Sequence, residues 1–331
     1  MAEAEVGDDF YRDDPTVAKL EETAAGILGK PAAMLVISGT MGNLLSLLVS
    51  TRRGDSILVA DNSHIFLNES GNFAAIAGLM PIVVSHPYGL HCADQVTAAI
   101  RPPSVLTSPL SLVALENTHN AGGGRPLGPK ETQEIVVRAH ASNLKVHLDG
   151  ARIFNAAVAL GVSVATLAEG VDSVTFCFSK GLGCPLGSIV AGSEDFIAAA
   201  RHWRQKIGGG MRQAGIFAAA GLFALDRMVD RLAEDHANAR KLAGILRECG
   251  FGIAFEVTTN MVFVDIPTDI CPVALVREMR SAGVIVNPAK GRRLRFVTHA
   301  DISAADIEES GRTIRSVLGS AKHVLRSVGT E

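Results

Sequence analysis

Cysteine is scarce and poorly placed for cross-linking: Cys92, Cys177, Cys184, Cys249 and Cys271 are odd in number, scattered, and form no C-x-x-C pair. That pattern argues against a disulfide framework and a zinc site, and favours reduced thiols in a reducing, cytoplasmic compartment. Neither charge sign dominates. The 31 Lys and Arg against 34 Asp and Glu leave a net charge of -3, which gives no electrostatic basis for nucleic acid or an anionic membrane as partner. Long apolar runs are missing as well. The longest, AGIFAAAGLFAL from Ala214 to Leu225, is too short to span a bilayer and predicts a buried helix. The start, MAEAEVGDDFYRDDP, has neither the apolar stretch of a signal peptide nor the arginines of a transit peptide. Repeats and low-complexity linkers are absent. What is present, 331 residues of which 47% are apolar and 20% charged, suits one large domain and one smaller one, each with a core.

Short β-branched runs alternate with helical stretches: AAMLVIS (32–38), DSILVAD (55–61), MPIVVSH (80–86), SLVALEN (111–117), LKVHLD (144–149), SVTFCFS (173–179) and GSIVAG (187–192). Alternation on this scale predicts an α/β fold with a mostly parallel central sheet sandwiched by helices. From Asp195 to about Glu248 the pattern is helical, broken only at Gly208–Gly210. Beyond Cys249, the strands TTNMVFVDIP, GVIVNPA and RLRFVTH and two helices predict a smaller C-terminal α/β domain, with the division placed at 1–235 and 236–331.

Ligands of such sheets sit at the carboxyl ends of the strands, and the polar residues gather there: Ser38-Gly39-Thr40, His64, His119, Asp149 and Lys180. In DSVTFCFSKGLGCPLGS an apolar strand runs straight into Lys180 with no acid nearby in sequence. A desolvated lysine is a competent amine nucleophile toward an aldehyde. Pyridoxal 5'-phosphate is such an aldehyde. It needs a lysine, a carboxylate facing its ring nitrogen, and an anion site for its phosphate. Asp149 ends a strand and precedes Gly150; Ser38-Gly39-Thr40 opens a helix, with amides for an anion; His64 could stack on the ring. Each has a plainer reading. A strand-end lysine is usually solvated, Asp149 could equally N-cap the next helix, Ser-Gly-Thr is an ordinary cap and turn, and a lone histidine is usually a packing residue. A dinucleotide fingerprint fails: the glycines of GLGCPLG are spaced one residue too long, and the stretch about twenty residues on is basic (Arg201, Arg204, Lys206).

HLDGARIFNAAVALGV, DSVTFCFSKGLGCPLGS and WRQKIGGGMRQAGIFAAAGL together resemble the low-specificity L-threonine aldolases of the β-eliminating lyase family. GDDFYRDDPTVAKLEE, ISGTMGN, RRGDSILVADNSHIFLNESG and ALENTHNAGGGRPL match the same family in the same order. The resemblance implies a pyridoxal-phosphate-dependent, fold-type-I enzyme. It implies a homotetramer built from dimers, which cleaves L-threonine and L-allo-threonine to glycine and acetaldehyde. By position it implies Lys180 as the Schiff-base lysine and Asp149 as the pyridinium partner. Ser38, Gly39 and Thr40 would lie at the phosphate, and Arg212 would reach a neighbouring subunit's phosphate. His64 would stack on the ring and His119 would sit near the substrate hydroxyl, either as base or orienting one, with His64 able to share that task. Arg152 would stand near the cofactor's phenolic oxygen and the substrate carboxylate, which Arg295 also binds. No metal is implied. Other pyridoxal-phosphate reactions on this scaffold (β-elimination, racemisation, phenylserine-type cleavage) or a weakly active paralogue stay open.

Departures from the family pattern accompany the match. An Arg-Ser-Asp-Thr segment that helps hold the substrate carboxylate normally precedes the matched region, and the sequence at MAEAEVGDDF lacks it. A mis-assigned start, a short isoform or weakened activity would each account for that. Gln205 stands where the family has lysine, Lys206 being shifted by one, and Arg12 replaces a usual glycine.

Overall fold

The computed structural model describes residues 1–102, 104–287 and 290–320. The chain divides into two compact units, residues 1–122 with 126–230, and residues 123–125 with the chain from Arg231 onward.

The first unit is built on seven strands: β1 (Ala32–Val36), β2 (Ser56–Ala60), β3 (Met80–Val84), β4 (Leu110–Glu116), β5 (Lys145–Asp149), β6 (Ser173–Cys177) and β7 (Ser188–Gly192). They lie in the order β1-β7-β6-β5-β4-β2-β3. The ladders from β3 to β6 are parallel, and β7 runs antiparallel to both β6 and β1. Two reversals restore direction, so β1 points the same way as β6. The carboxyl ends of β1, β2, β4, β5 and β6 therefore share one edge. In β2, β6 and β7 every residue is buried, the mark of strands covered on both faces. Phe176 and Phe178 are both about 1% exposed and meet edge to face at 4.9 Å, with Phe154 at 5.1 Å from Phe176. Burial of each such ring contributes roughly 1.5–3 kcal/mol.

Helix Pro15–Leu28 starts where Asp14 accepts the Thr16 and Val17 amides, with Pro15 in the first turn, and stops at Gly29 with φ 62°. These are the residue types that nucleate and end helices. On it, Glu21 accepts the Leu35 amide at 2.8 Å, while Arg204 donates to the Leu35 carbonyl at 2.8 Å. Two side chains thus satisfy both backbone groups of Leu35 on the open edge of β1, where another chain could otherwise add a strand.

The run from Ala214 departs from expectation. Helix Gly215–Arg227 buries its small face, Gly215, Ala218, Gly221 and Ala224. A Cβ at Gly221 would come within 3.0 Å of Leu20, so the small residues let this helix approach helix Pro15–Leu28 closely. The large residues point outward: Phe223 is 62% exposed and Ile216 40%. The helical stretch after Asp195 also breaks a second time, between Arg227 and Leu232.

The second unit holds β8 (Gly252–Ile253), β9 (Met261–Asp265) and β10 (Arg293–Val297), antiparallel in the order β10-β9-β8. Helices Leu232–Glu248, Pro272–Ser281 and Ala304–Ser320 accompany them. The strand expected at GVIVNPA does not form over 283–287, and residues 288 and 289 lie outside the described ones. Val284 and Val286 instead pack on the unit's apolar cluster, so the run is apolar because it covers a core, without a neighbouring strand to pair with. Gly123 and Gly124, at φ 86° and 73°, belong here too. A Cβ on Gly123 would fall 2.6 Å from Phe255 and one on Gly124 2.7 Å from Thr259.

Candidate active site

The shared carboxyl edge carries seven candidate residues of the first unit, Ser38, Gly39, Thr40, His64, His119, Asp149 and Lys180. Beyond β6, Phe178 donates its amide to Gly187, and half-buried Lys180 opens a turn closed by the Gly183 amide on the Lys180 carbonyl at 3.0 Å. Gly183 and Gly187 have φ 74° and 107°, so this turn needs glycine there. On β5, Asp149 is 2% exposed. Its Oδ1 accepts the Ala151 amide at 3.1 Å and its Oδ2 the Asn43 side-chain amide at 2.9 Å. The helix that follows, Ile153–Leu160, takes no side-chain cap, so Asp149 is not its N-cap. Gly150 is needed for close packing of the chain, since a Cβ there would lie 2.6 Å from the Thr175 carbonyl oxygen.

After β1, Ser38 caps helix Gly39–Ser50 by accepting the Met41 amide at 3.2 Å. The Gly39 and Thr40 amides are left without intrahelical acceptors, as at every helix start. A Cβ on Gly39 would strike the Cys177 sulfur at 2.7 Å and stand 3.8 Å from Ser188 Oγ. That hydroxyl is buried and has no hydrogen-bond partner among the described residues. Glycine is thus required at 39 by packing against Cys177, while the open amides of a half-buried helix start beside an unsatisfied hydroxyl fit an anionic ligand group.

After β2, His64 holds Glu69 Oε1 through Nδ1 at 2.9 Å and leaves its side chain 31% exposed. The Glu69 hydrogen bond, helped by the Asp149 charge and opposed by burial and by Lys180, raises the imidazole pKa above its ordinary value. The polar atoms of His64, Glu69 and Asp149 lie within 4.8 Å of one another. His119 is different. Its Nε2 meets Asn62 Oδ1 at 3.0 Å, its Nδ1 lies 3.5 Å from Glu116, and burial pushes its pKa down to about 4. Gly89 and Gly122 press on its ring, with no room for a Cβ at either.

Sequence reasoning missed four residues here: Asn43, Glu69, Glu116 and His147. Glu116 accepts the His64 and Asn120 amides at 2.7 and 2.8 Å, and burial beside the Asp149 charge pushes its carboxyl up to about 7. The available signals were a lone Asn in the apolar helix TMGNLLSLL and a His two residues before Asp149 on a buried strand.

The remaining candidates are not gathered by described contacts. Arg152 is half-buried just past β5. Arg212 is 58% exposed, pairs with Asp8 at 3.0 Å and lies over the rings of Phe10 and Tyr11. Arg295 belongs to β10 of the second unit, where burial lowers its pKa. Lys206 sits over the Trp203 ring at 4.5 Å. Arg12, in place of the family's glycine, has φ 64°.

Sheet order and the reversed β7 give the class, an α/β fold of the fold-type-I kind. Within that class the chain belongs to the beta-eliminating lyase family, whose profile (Beta-eliminating lyase) matches residues 1–269. It is 40% identical to low-specificity L-threonine aldolase 1 of Arabidopsis thaliana over 93% of this chain and 88% of that one. It is also 40% identical to the low specificity L-threonine aldolase of Escherichia coli K12, over 96% of this chain and 94% of the relative. The structure of a Leishmania major threonine aldolase superposes with a TM-score of 0.79 at 21% identity, covering 96% of this chain and 92% of that one.

Proposed function

We propose that this chain is a carbon–carbon lyase that cleaves L-threonine and L-allo-threonine to glycine and acetaldehyde with pyridoxal 5'-phosphate. The observation that carries the reading is the convergence of Lys180, Asp149, His64 and the bare start of helix Gly39–Ser50 on one edge of one sheet. The residues fit the cofactor. Lys180 would hold its aldehyde and Asp149 its ring nitrogen, His64 would cover a ring face, and Ser38, Gly39 and Thr40 would take the phosphate. Bound there, the cofactor supplies an electron sink for the pair left on Cα when the Cα–Cβ bond breaks.

Within the first unit Arg152, half-buried just past β5, would take the substrate carboxylate, Arg as a planar fork being suited to it. The two histidines divide the work on the β-hydroxyl. His119, neutral and enclosed, positions it. His64, with an exposed edge and a raised pKa, is the better proton acceptor. Asp149, screened from solvent, stays aligned by its two donors.

The working form is a homotetramer, a dimer of dimers, in which Arg212 reaches the phosphate of a second copy. Exposed Phe10, Tyr11 and Phe223 support this, aromatic side chains being enriched where a partner chain packs. Reduced cysteines support a cytoplasmic setting, all five being free.

The test is acetaldehyde release from both threonine diastereomers by the cofactor-loaded chain and by Lys180→Ala. Release by the first and not the second is expected. Equal release from both would sink the assignment of Lys180, and a coloured protein that releases nothing would assign the site to another amino acid.

A further inference from the structure

The buried side of the site is organised around one amide. Asn43 Nδ2 donates to Asp149 Oδ2 at 2.9 Å and to Glu69 Oε1 at 2.8 Å. Asn43 Oδ1 accepts from Thr175 Oγ1 at 2.9 Å and meets His147 Nε2 at 3.0 Å. A primary amide has two donor hydrogens and two acceptor lone pairs, and all four are used here. The amide orientation fixes the histidine. Because Asn43 presents its oxygen, His147 must carry its proton on Nε2, leaving Nδ1 to accept from Ser173 Oγ at 2.9 Å. His147 is 0% exposed, and burial holds its pKa near 4, so it stays neutral.

We propose that Asn43 is a positioning residue that couples the ring-facing carboxylate of Asp149 to the Glu69 carboxylate of the His64–Glu69 pair, donating a hydrogen bond to each without bringing a positive charge to either. The inference rests on the reading that Asp149 faces the cofactor's ring nitrogen. A lysine or arginine in Asn43's place would neutralise Asp149 and compete with the ring; a neutral double donor aligns the carboxylate and leaves its charge for the ring proton. The other titratable groups facing the network are Glu116 from β4, Lys180 from the turn after β6, and His119.

Asn43→Asp tests this, since it keeps the shape and the acceptor while replacing the donor group by a third carboxylate oxygen. The probe is pyridoxal 5'-phosphate itself, its dissociation constant read by absorbance across a pH series, with the melting temperature of the cofactor-free chain alongside. At neutral pH the variant should bind at least about tenfold more weakly, the scale of losing a charge-assisted hydrogen bond. As the pH falls its affinity should recover toward wild type, because a protonated carboxyl regains a donor. A deficit that is the same at every pH and follows the melting temperature would assign Asn43 to packing alone and overturn the proposal. So would affinity within twofold of wild type throughout. Should Asn43→Asp not fold, Glu69→Gln carries the test: a shift of the pH midpoint of the cofactor's absorption band supports coupling, and an unmoved midpoint overturns it. No uptake by wild type would overturn the cofactor reading and this inference together, whereas uptake with an unaffected variant overturns the inference alone.

Discussion

Arg12 holds a left-handed backbone conformation, φ 64° and ψ 29°, at the end of the short 3-10 turn Asp9–Tyr11. A residue with a Cβ is disfavoured there, and the side chain is exposed, so little compensates. Arg12→Gly should raise stability by roughly 0.5–1 kcal/mol, the left-handed cost less the entropy of an added glycine. Chemical denaturation would measure it, and a destabilised variant would mean that the arginine makes a contact worth more than its strain. For His64 the consequence is kinetic. A base acts when deprotonated, and a raised pKa moves the acid limb of activity above the ordinary imidazole value of 6.5. His64→Asn should lower kcat and remove that limb; a pH profile that keeps it would transfer the role to another group. Lys180, Asp149 and His64 were legible in the sequence because each stands at the end of an apolar run, where a polar residue is conspicuous. Asn43, Glu69, Glu116 and His147 were not, because what marks them is partnership across sequence separations of up to 132 residues, as between Asn43 and Thr175.

Among the elements, the strands of the large sheet were read from periodicity nearly to the residue, since each is flanked by turn residues and all but the edge strand β3 are largely buried. The second unit was less legible. There GVIV and MVFV look alike in composition, yet only the second has a strand to pair with on either side. Helix Gly215–Arg227 shows the same limit from the other direction. Its apolar content does not say which face turns inward, and the glycine and alanine face won because it lets two helices approach. Its outward Phe223 should therefore lie in a subunit interface. Phe223→Glu is expected to lower the oligomer mass seen by light scattering while leaving the far-ultraviolet helical signal intact. An unchanged mass would remove this face from the assembly.

For the whole molecule, three buried histidines contribute to the response to acid. His119, His147 and His236 are each held near pKa 4, against 6.5 ordinarily, by burial. The folded chain refuses protons that the unfolded chain accepts, so stability is intact above about pH 6.5 and is lost as pH falls toward 4. Fully buried His147 alone accounts for at most ~3 kcal/mol of that loss. Glu116 works in the opposite sense. Its raised pKa stabilises the fold below 4.5, and that contribution disappears as pH rises through about 7. Glu21 and Asp235, also raised by burial, act with Glu116. The histidine contribution is isolated by His147→Gln, which should flatten the dependence of the denaturation midpoint on pH between 6.5 and 4; a slope equal to that of the unsubstituted chain would contradict it.

The second unit is assembled from two separate stretches of chain, Gly123–Arg125 and everything from Arg231 onward. Thr259 donates its hydroxyl to the Gly124 carbonyl at 2.8 Å, so the short stretch is fastened inside. A gene cut at the Asp230–Arg231 junction would therefore encode neither unit in full. The downstream fragment would lack the segment that receives Thr259, and the upstream fragment would carry two left-handed glycines shaped for residues it no longer encodes. Complementation by separately expressed halves should succeed only when both are supplied together, and a deletion at the 3' end of the reading frame should act on a loop that is translated more than a hundred codons earlier.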